Sequence, residues 1–268
     1  MRFARKIAAF VRARRKPGGG FGATPGLPAT VRDTYHALRI LHALAPFLDE
    51  DFRALSGGER LRRHLEEIGD MDTWTERTAF EYLWSCRVAG AGTPPGWPER
   101  FVRKRLRSAR GLLTRYYCRR IIRECLRAPG GFVSPSVRDP DVKWRTAYEL
   151  WMALYLSGGD PSALSTTREA LVRWLRACQN PDGGFGFFPG TTSYMKNGHA
   201  CLRALALMGS APRDTEAARG FILSALTSDG GIARKHGGAP FLDATWDGTA
   251  ALRLFSEMHA SKGGALCA

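Results

Sequence analysis

A motif of two glycines followed by an apolar residue recurs along the chain and constrains its fold more than any other feature. Its clearest copy is Gly183-Gly184-Phe185, and further copies end at Phe21, at Phe132 and, with isoleucine replacing the aromatic residue, at Ile232. The intervals from Phe132 to Phe185 and from Phe185 to Ile232 are 53 and 47 residues. Such spacing suits a pair of helices rather than a domain. The sequence therefore predicts a helical repeat protein.

The long interval between Phe21 and Phe132 leaves room for one more unit, and a degenerate copy lies around Gly69-Asp70-Met71. Five units follow, covering roughly residues 1–48, 49–91, 100–159, 160–210 and 211–262. A charged helix precedes each turn, and a helix rich in Ala and Leu follows it. Helices that are apolar on nearly all sides are normally buried. We therefore expect a single all-α domain over residues 1–268.

Alternating outer and inner helices describe an α/α toroid of about five helix-pair repeats. The alternative architecture is an open α-solenoid of the tetratricopeptide or HEAT type. Those repeats lack a Gly-Gly-aromatic turn, so the turn favours the toroid.

Composition narrows the classes of partner. The chain is 44% hydrophobic and 24% charged, but its formal net charge is +15, which favours anionic partners. No nucleic-acid-binding motif accompanies the charge, and this argues against nucleic acid. Six scattered cysteines form no CxxC pair, which is typical of reduced thiols in the cytoplasm. No apolar run is long enough to span a bilayer, so any membrane contact is expected to be peripheral.

An aromatic residue lies near the start of each predicted inner helix. These residues are Tyr35, Trp74, Trp144, Tyr194 and Trp246. In a toroid the inner helices converge on a central cavity, where aromatic rings can bury an apolar chain and stabilise developing cations. The alternative is that individual rings serve only to pack the core.

Cations lie close to the same helix starts. Arg32, Arg145 and Lys196 are placed to bind an anionic group and to stabilise charge that develops on it, although a solvated rim would show the same pattern. His199, at the start of the fourth inner helix, is a further candidate for substrate binding.

Two segments carry a resemblance to a known family. The segment from Ala170 to Phe185 is similar to the repeat shared by protein prenyltransferase β subunits and squalene-type terpene cyclases. The segment from Gly19 to Gly26, followed by Asp33-Thr-Tyr-His36, resembles a β-subunit segment that precedes an inner helix. Phenylalanine after the glycines is closer to the prenyltransferase version. The resemblance implies a prenyltransferase-like enzyme that binds an isoprenoid diphosphate in a central cavity and transfers or ionises the prenyl group.

The resemblance also implies a zinc ion, because His36 matches the zinc-ligand histidine of that family. The family's Asp-x-Cys pair has only a partial counterpart, since Asp243 is followed by Thr245 where the thiolate should be. Asp243 and Cys201 are the candidates to complete the set with His36 if the fold brings them together. Zinc is therefore an expectation that rests on an incomplete set of ligands.

Four residues are candidates for the reacting end of the site. They are Asp33, Tyr35, His36 and Asp247, with Asp33 either orienting His36 or accepting a proton. The family's heterodimers also imply a protein partner subunit, which the basic run over residues 103–123 could dock, although a solvated face is the default interpretation of such a run.

Two alternative functions follow from what the sequence lacks. A class II-like terpene cyclase needs an acidic Asp-x-Asp-Asp motif, and only Asp139-Pro140-Asp141 resembles it, so such an enzyme would use a non-standard acid. A non-catalytic toroid that binds a lipid or a protein would need neither that motif nor zinc.

Overall fold

The structure is a computed structural model that describes residues 3–69, 71–108, 111–126 and 144–263, with side chains up to residue 257 in the last helix. The described residues are mainly helical, and isolated β-bridges join some of the loops. The chain divides into two compact units, residues 1–136 and 137–268. The all-α prediction is confirmed. The turn predicted at Phe132 lies outside the described residues.

In the first unit, helices that follow a turn pack side by side, each against the helix that precedes its turn. The helices are α1 (Ala4–Arg12), α2 (Val31–Leu48), α3 (Phe52–Ser56), α4 (Gly58–Glu66), α5 (Glu76–Ala89), α6 (Trp97–Ser108) and α7 (Leu112–Arg120), which continues as a π-helical turn over Ile121–Cys125. Helix α2 packs against α1 and α5, and α5 also packs against α4 and α7.

The second unit repeats this arrangement. Its helices are α8 (Ala147–Leu156), a 3₁₀ turn (Pro161–Leu164), α9 (Arg168–Ala177), α10 (Met195–Leu207), α11 (Thr215–Ser224) and α12 (Leu242–Gly263). Helix α10 packs against both α8 and α12, while α9 lies against α10 and α11 lies against α12. We call α2, α5, α8, α10 and α12 the second helices, and α1, α4, α7, α9 and α11 the first helices.

Threonine side chains fix the starts of three second helices. The hydroxyls of Thr30, Thr75 and Thr146 accept hydrogen bonds of 3.0, 3.2 and 3.2 Å from the backbone N–H three residues later. Glu149 completes a capping box at the start of α8, which satisfies two backbone donors at once. Helix α5 ends at Gly90, which adopts the left-handed conformation that glycine tolerates.

The Gly-Gly turn has one hydrogen-bond pattern in its three described copies. In each, a backbone N–H four residues before the second glycine donates to the carbonyl of that glycine. The pairs are Lys16 to Gly20 at 3.1 Å, Asn180 to Gly184 at 2.8 Å and Thr227 to Gly231 at 2.8 Å. The repeat inferred from the sequence is therefore also a repeat of backbone geometry at these three positions.

The first glycine of the turn lies against the next first helix. Gly19 and Gly183 have φ angles of 104° and 84°, in the region that side chains rarely allow. A Cβ on Gly19 would lie 2.4 Å from the carbonyl oxygen of Arg60 in α4, and one on Gly183 would lie 2.1 Å from that of Ala217 in α11. Only glycine permits this close approach of the two backbones.

The apolar residue of the turn fixes the second helix that follows. Phe21 is fully buried, and its N–H donates a 3.0 Å hydrogen bond to the hydroxyl of Thr34. Ile232 is equally buried, and its N–H donates to the hydroxyl of Thr245 at 2.9 Å. Both threonines are the fourth residue of their second helix. The turn therefore sets where the helix begins and how it is rotated.

We predict that Gly183→Ala is much more destabilising than Gly190→Ala, which is the matched control. Both glycines have a positive φ, near 85°, but a Cβ on Gly190 meets nothing within 4 Å. Conformational strain alone should cost about 1–2 kcal/mol at either position. Displacing the Ala217 carbonyl should add about 2 kcal/mol at Gly183. Urea denaturation measures both free energies of unfolding, and equal losses would contradict the close approach.

Candidate functional site

The second helices all place a ring at the same position. The fifth residue of each is aromatic or histidine: Tyr35, Phe80, Trp151, His199 and Trp246. In the first unit the rings of Tyr35 and Phe80 meet edge to face with centroids 5.8 Å apart. In the second unit His199 and Trp246 do the same at 6.0 Å. We call these residues the aromatic layer of their unit, which consists of Tyr35 and Phe80 in the first unit and of Trp151, His199 and Trp246 in the second.

In the second unit the aromatic layer lies on the side of the second helices that faces away from the turns and first helices. In the first unit, by contrast, Phe80 also contacts α7, where the Arg120 guanidinium lies 3.9 Å from its ring centroid. The fourth residues Thr34 and Thr245 bond to the turns, and the seventh residue of α10, Cys201, contacts Cys178 at the end of α9. Successive helical residues are rotated by about 100°. Positions 2, 5, 6 and 9 therefore share the face opposite to positions 4 and 7.

Cations border the layer on the same helix face. The Lys196 ammonium, on the second residue of α10, lies 4.1 Å from the centroid of the Tyr148 ring. The Arg203 guanidinium, on the ninth residue, lies 3.9 Å from the centroid of the Trp151 ring. Rings with cations on either side suit a ligand that has an apolar chain and an anionic group.

A histidine and an aspartate meet in this layer. His199 Nδ1 and Asp247 Oδ1 are 2.8 Å apart, and the two side chains are only 8% and 16% exposed. The contact joins the fifth residue of α10 to the sixth residue of α12. A carboxyl bonded to an imidazole in a largely buried site can hold and transfer a proton. This pair is the strongest candidate for acid–base chemistry among the described residues.

The remaining catalytic candidates from the sequence lie together near the start of α2. The rings of Tyr35 and His36 are 5.2 Å apart, and His36 is only 6% exposed. The Tyr35 hydroxyl accepts a 3.1 Å hydrogen bond from Arg39. Asp33 accepts a 2.7 Å hydrogen bond from the hydroxyl of Thr30, which gives it a place in the cap of α2. A catalytic role for this group stays a prediction.

Two predicted substrate-binding rings, Trp74 and Trp144, precede their helices and contact other tryptophans. Trp74 lies one residue before the N-cap of α5, with its ring centroid 6.1 Å from that of Trp97 in α6. Trp144 lies 4.9 Å from Trp174 of α9. These two tryptophans therefore pack against α6 and α9. The fifth position of the second helix that follows each of them is occupied by another residue, Phe80 in α5 and Trp151 in α8.

The other predicted substrate-binding residues lie at or near helix starts. Tyr194 is the N-cap of α10, and its side chain contributes to raising the pKa of Arg234. Arg32 and Arg145 are exposed, and the backbone N–H of Arg145 donates to Glu149 at 2.7 Å. Lys196, His199 and Trp246 lie on the face of the aromatic layer, as described above.

The predicted metal ligands have protein partners of their own in the second unit. Asp243 forms a 3.1 Å ion pair with Arg234. Burial and the neighbouring Cys178 raise the pKa of the Cys201 thiol well above its ordinary value, so this sulfur is a neutral thiol near pH 7. Within the described ranges, no three His, Cys, Asp or Glu side chains are grouped to hold a metal ion. Zinc binding stays a prediction.

Sequence reasoning found Asp247 and His199 but not their contact, and it missed Phe80 and Trp151. The signal that could have paired the first two is their distance from the turn. His199 follows Phe185 by about as many residues as Asp247 follows Ile232. Equivalent positions in adjacent repeats are neighbours in space.

We predict that His199 and Asp247 stabilise each other by about 1–2 kcal/mol, as expected for a largely buried, charge-assisted hydrogen bond. A double-mutant cycle with His199→Asn and Asp247→Asn, followed by urea denaturation, measures this coupling. The matched control is the exposed pair Arg253 and Glu257 on α12, 3.2 Å apart, for which about 0.3–0.5 kcal/mol is expected. Equal coupling in the two cycles would contradict the buried pair.

Comparison with known proteins shows the family of the chain. A drimenyl diphosphate synthase from Streptantibioticus cattleyicolor is 25% identical over 226 residues, which cover 81% of this chain and 39% of that relative. Within the described part of the chain, no helix combines the length and the apolar character needed to cross a membrane. The family model of the prenyltransferase alpha-alpha toroid domain matches residues 2–86 and 107–267. The chain therefore belongs to the prenyltransferase α/α toroid domain family, which confirms the toroid fold class expected from its repeats.

Proposed function

We propose that this chain catalyses the proton-initiated cyclisation of an isoprenoid diphosphate, with Asp247 as the acid and His199 as its partner. The observation that carries the proposal is the 2.8 Å contact between these side chains within a layer of aromatic rings. In this proposal Asp247 serves as the non-standard acid that a cyclase without the Asp-x-Asp-Asp motif requires. The chain spans 39% of the length of its terpenoid-forming relative, so the relative's activity supports the proposal only by analogy.

The proposed step moves one proton. Protonated Asp247 transfers its carboxyl proton to a carbon of the terminal alkene, whose π electrons form the new C–H bond. The tertiary carbocation left behind is attacked by the next alkene, which closes a ring. Water takes up a proton from a carbon beside the final cation, which restores a double bond, and solvent returns a proton to the Asp247 carboxylate. The product is therefore an isomer of the substrate.

His199 has a defined part in this step. When its imidazole is protonated, Nδ1–H donates to Asp247 Oδ1 and leaves Oδ2 to carry the acidic proton. A cation beside the carboxyl stabilises the carboxylate that remains after proton transfer.

The surrounding face fits the rest of the substrate. The ring of Trp246 lies next to His199, where its π face stabilises a carbocation formed at Asp247. Lys196 and Arg203 on α10 provide cations for the diphosphate. The diphosphate ester is not broken in proton-initiated chemistry, and the name of the relative likewise describes a product that keeps its diphosphate.

We predict that Asp247→Asn lowers product formation from a prenyl diphosphate by at least about 100-fold, because general acid catalysis contributes about that much. Glu257→Gln is the matched control, since Glu257 is an exposed carboxylate on the same helix. In D₂O the wild-type product should carry one deuterium at the carbon that is protonated. Mass spectrometry of the extracted product measures both yield and label.

Prenyl transfer is the second candidate function, favoured by the segment from Gly19 to His36 that resembles the prenyltransferase motif. It predicts the opposite outcome in the same assay: inorganic diphosphate is released, the product gains no deuterium, and His36→Ala rather than Asp247→Asn abolishes turnover. That result would overturn the cyclase proposal.

A further inference from the structure

A cavity lined by cations lies in the first unit beside the Gly19-Gly20 turn. Its volume is about 520 Å³, and its walls come from the turn, from α3 and from the start of α4. The charged residues that line it are Arg15, Lys16, Arg53, Glu59 and Arg60. The matching region of the second unit differs from this cavity in its hydrogen-bond acceptors.

The two regions correspond residue by residue. Gly19 closely approaches the carbonyl of Arg60, and Gly183 makes the same approach to Ala217. In both units the helix N-cap lies three residues before the residue that the glycine contacts. It is Gly57 for α4 and Asp214 for α11. Arg15 and Gln179 lie the same number of residues before the apolar residue of their turns, so Gln179 is the counterpart of Arg15 in the second unit.

In the second unit the protein supplies hydrogen-bond acceptors at this place. The Asp214 carboxylate accepts from the N–H of Ala217 at 2.8 Å. The side chain of Gln179 accepts from the N–H of Asp214 at 2.9 Å and donates to the Asp214 carbonyl at 2.7 Å. Both a carboxylate and an amide oxygen therefore face the start of α11.

In the first unit both acceptors are missing. Gly57 has no side chain, and α4 has no side-chain cap. Arg15, in place of the glutamine, can only donate. One of its nitrogens bonds to the carbonyl of Leu55, while its Nε is shielded from solvent and has no hydrogen-bond partner among the described residues. Burial and the nearby Arg12 lower the pKa of Arg15, as expected for a cation that lacks a counter-charge.

The other charged groups of the cavity leave it positive. Glu59 is held by Arg62, through a 2.8 Å hydrogen bond and a second, shorter contact. Lys16 donates to backbone carbonyls of the turn. Arg53 and Arg60 are exposed and form no ion pair with the described residues. Arg15, Arg53 and Arg60 thus line the cavity together with Gly57, which stands where the second unit carries Asp214.

We propose that this cavity binds a phosphate or diphosphate group. An oxyanion there supplies the acceptors that Asp214 and Gln179 provide in the second unit, and guanidinium groups recognise such anions through paired hydrogen bonds. The cavity is lined by the turn, α3 and the start of α4 and by no residue of the aromatic layer, so it does not depend on the cyclase proposal.

The test is isothermal titration of the full chain with inorganic diphosphate at low salt. We expect saturable binding that Arg15→Gln weakens at least about tenfold, because each charge-assisted bond contributes over 1 kcal/mol. A second variant, Arg53→Gln with Arg60→Gln, should weaken it similarly. Arg63→Gln is the matched control, since Arg63 is exposed on α4 and does not line the cavity. It should leave the affinity within about twofold of wild type.

Circular dichroism confirms that each variant is folded. A parallel titration with geranyl diphosphate identifies the source of the anion: equal affinity indicates recognition of the diphosphate alone, and tighter binding that Arg15→Gln still weakens indicates a lipid headgroup. Absence of saturable binding would overturn the proposal. If Arg63→Gln weakened the affinity equally, the proposal would also be overturned, because binding would then depend on the general positive charge of the protein and not on this cavity. Saturable binding that Arg15→Gln leaves unchanged but that Lys196→Gln with Arg203→Gln weakens would place the diphosphate on the face of α10 and would overturn the proposal.

Discussion

The close approach of the turn glycine to the next first helix is the constraint on which the structure depends. At Gly183 the backbone of one repeat lies so near the Ala217 carbonyl that no side chain fits between them. Contacts of this kind tie a turn to the following helix pair without using any side chain. The interval between repeats can therefore vary along the sequence while the geometry of the described turns stays constant.

Helix register follows from this constraint. The apolar residue after the glycines bonds to the fourth residue of the second helix in two copies, which fixes the rotation of that helix. Fifth residues on neighbouring helices then meet, as Tyr35 meets Phe80 and His199 meets Trp246. The contact between His199 and Asp247 arises in the same way, from adjacent positions on adjacent helices.

Much of the fold could be predicted from the sequence, because glycine pairs and apolar helices leave local signals. The all-α class, the helix pairs and the turns of three repeats are of this kind. The site was harder to predict, since Trp74 and Trp144 precede their helices and only the capping hydrogen bonds show where those helices begin. The pairing of His199 with Asp247 joins residues 48 apart, and no local pattern reveals such a contact.

The most direct measurement of the central claim is an experimental structure with an unreactive prenyl diphosphate analogue bound. The account predicts that the hydrocarbon chain lies along the aromatic layer of the second unit. Its terminal double bond should be in van der Waals contact with Asp247, at about 4 Å, and close to the ring of Trp246. Hydrocarbon bound on the side of the first helices, away from His199 and Asp247, would contradict the account.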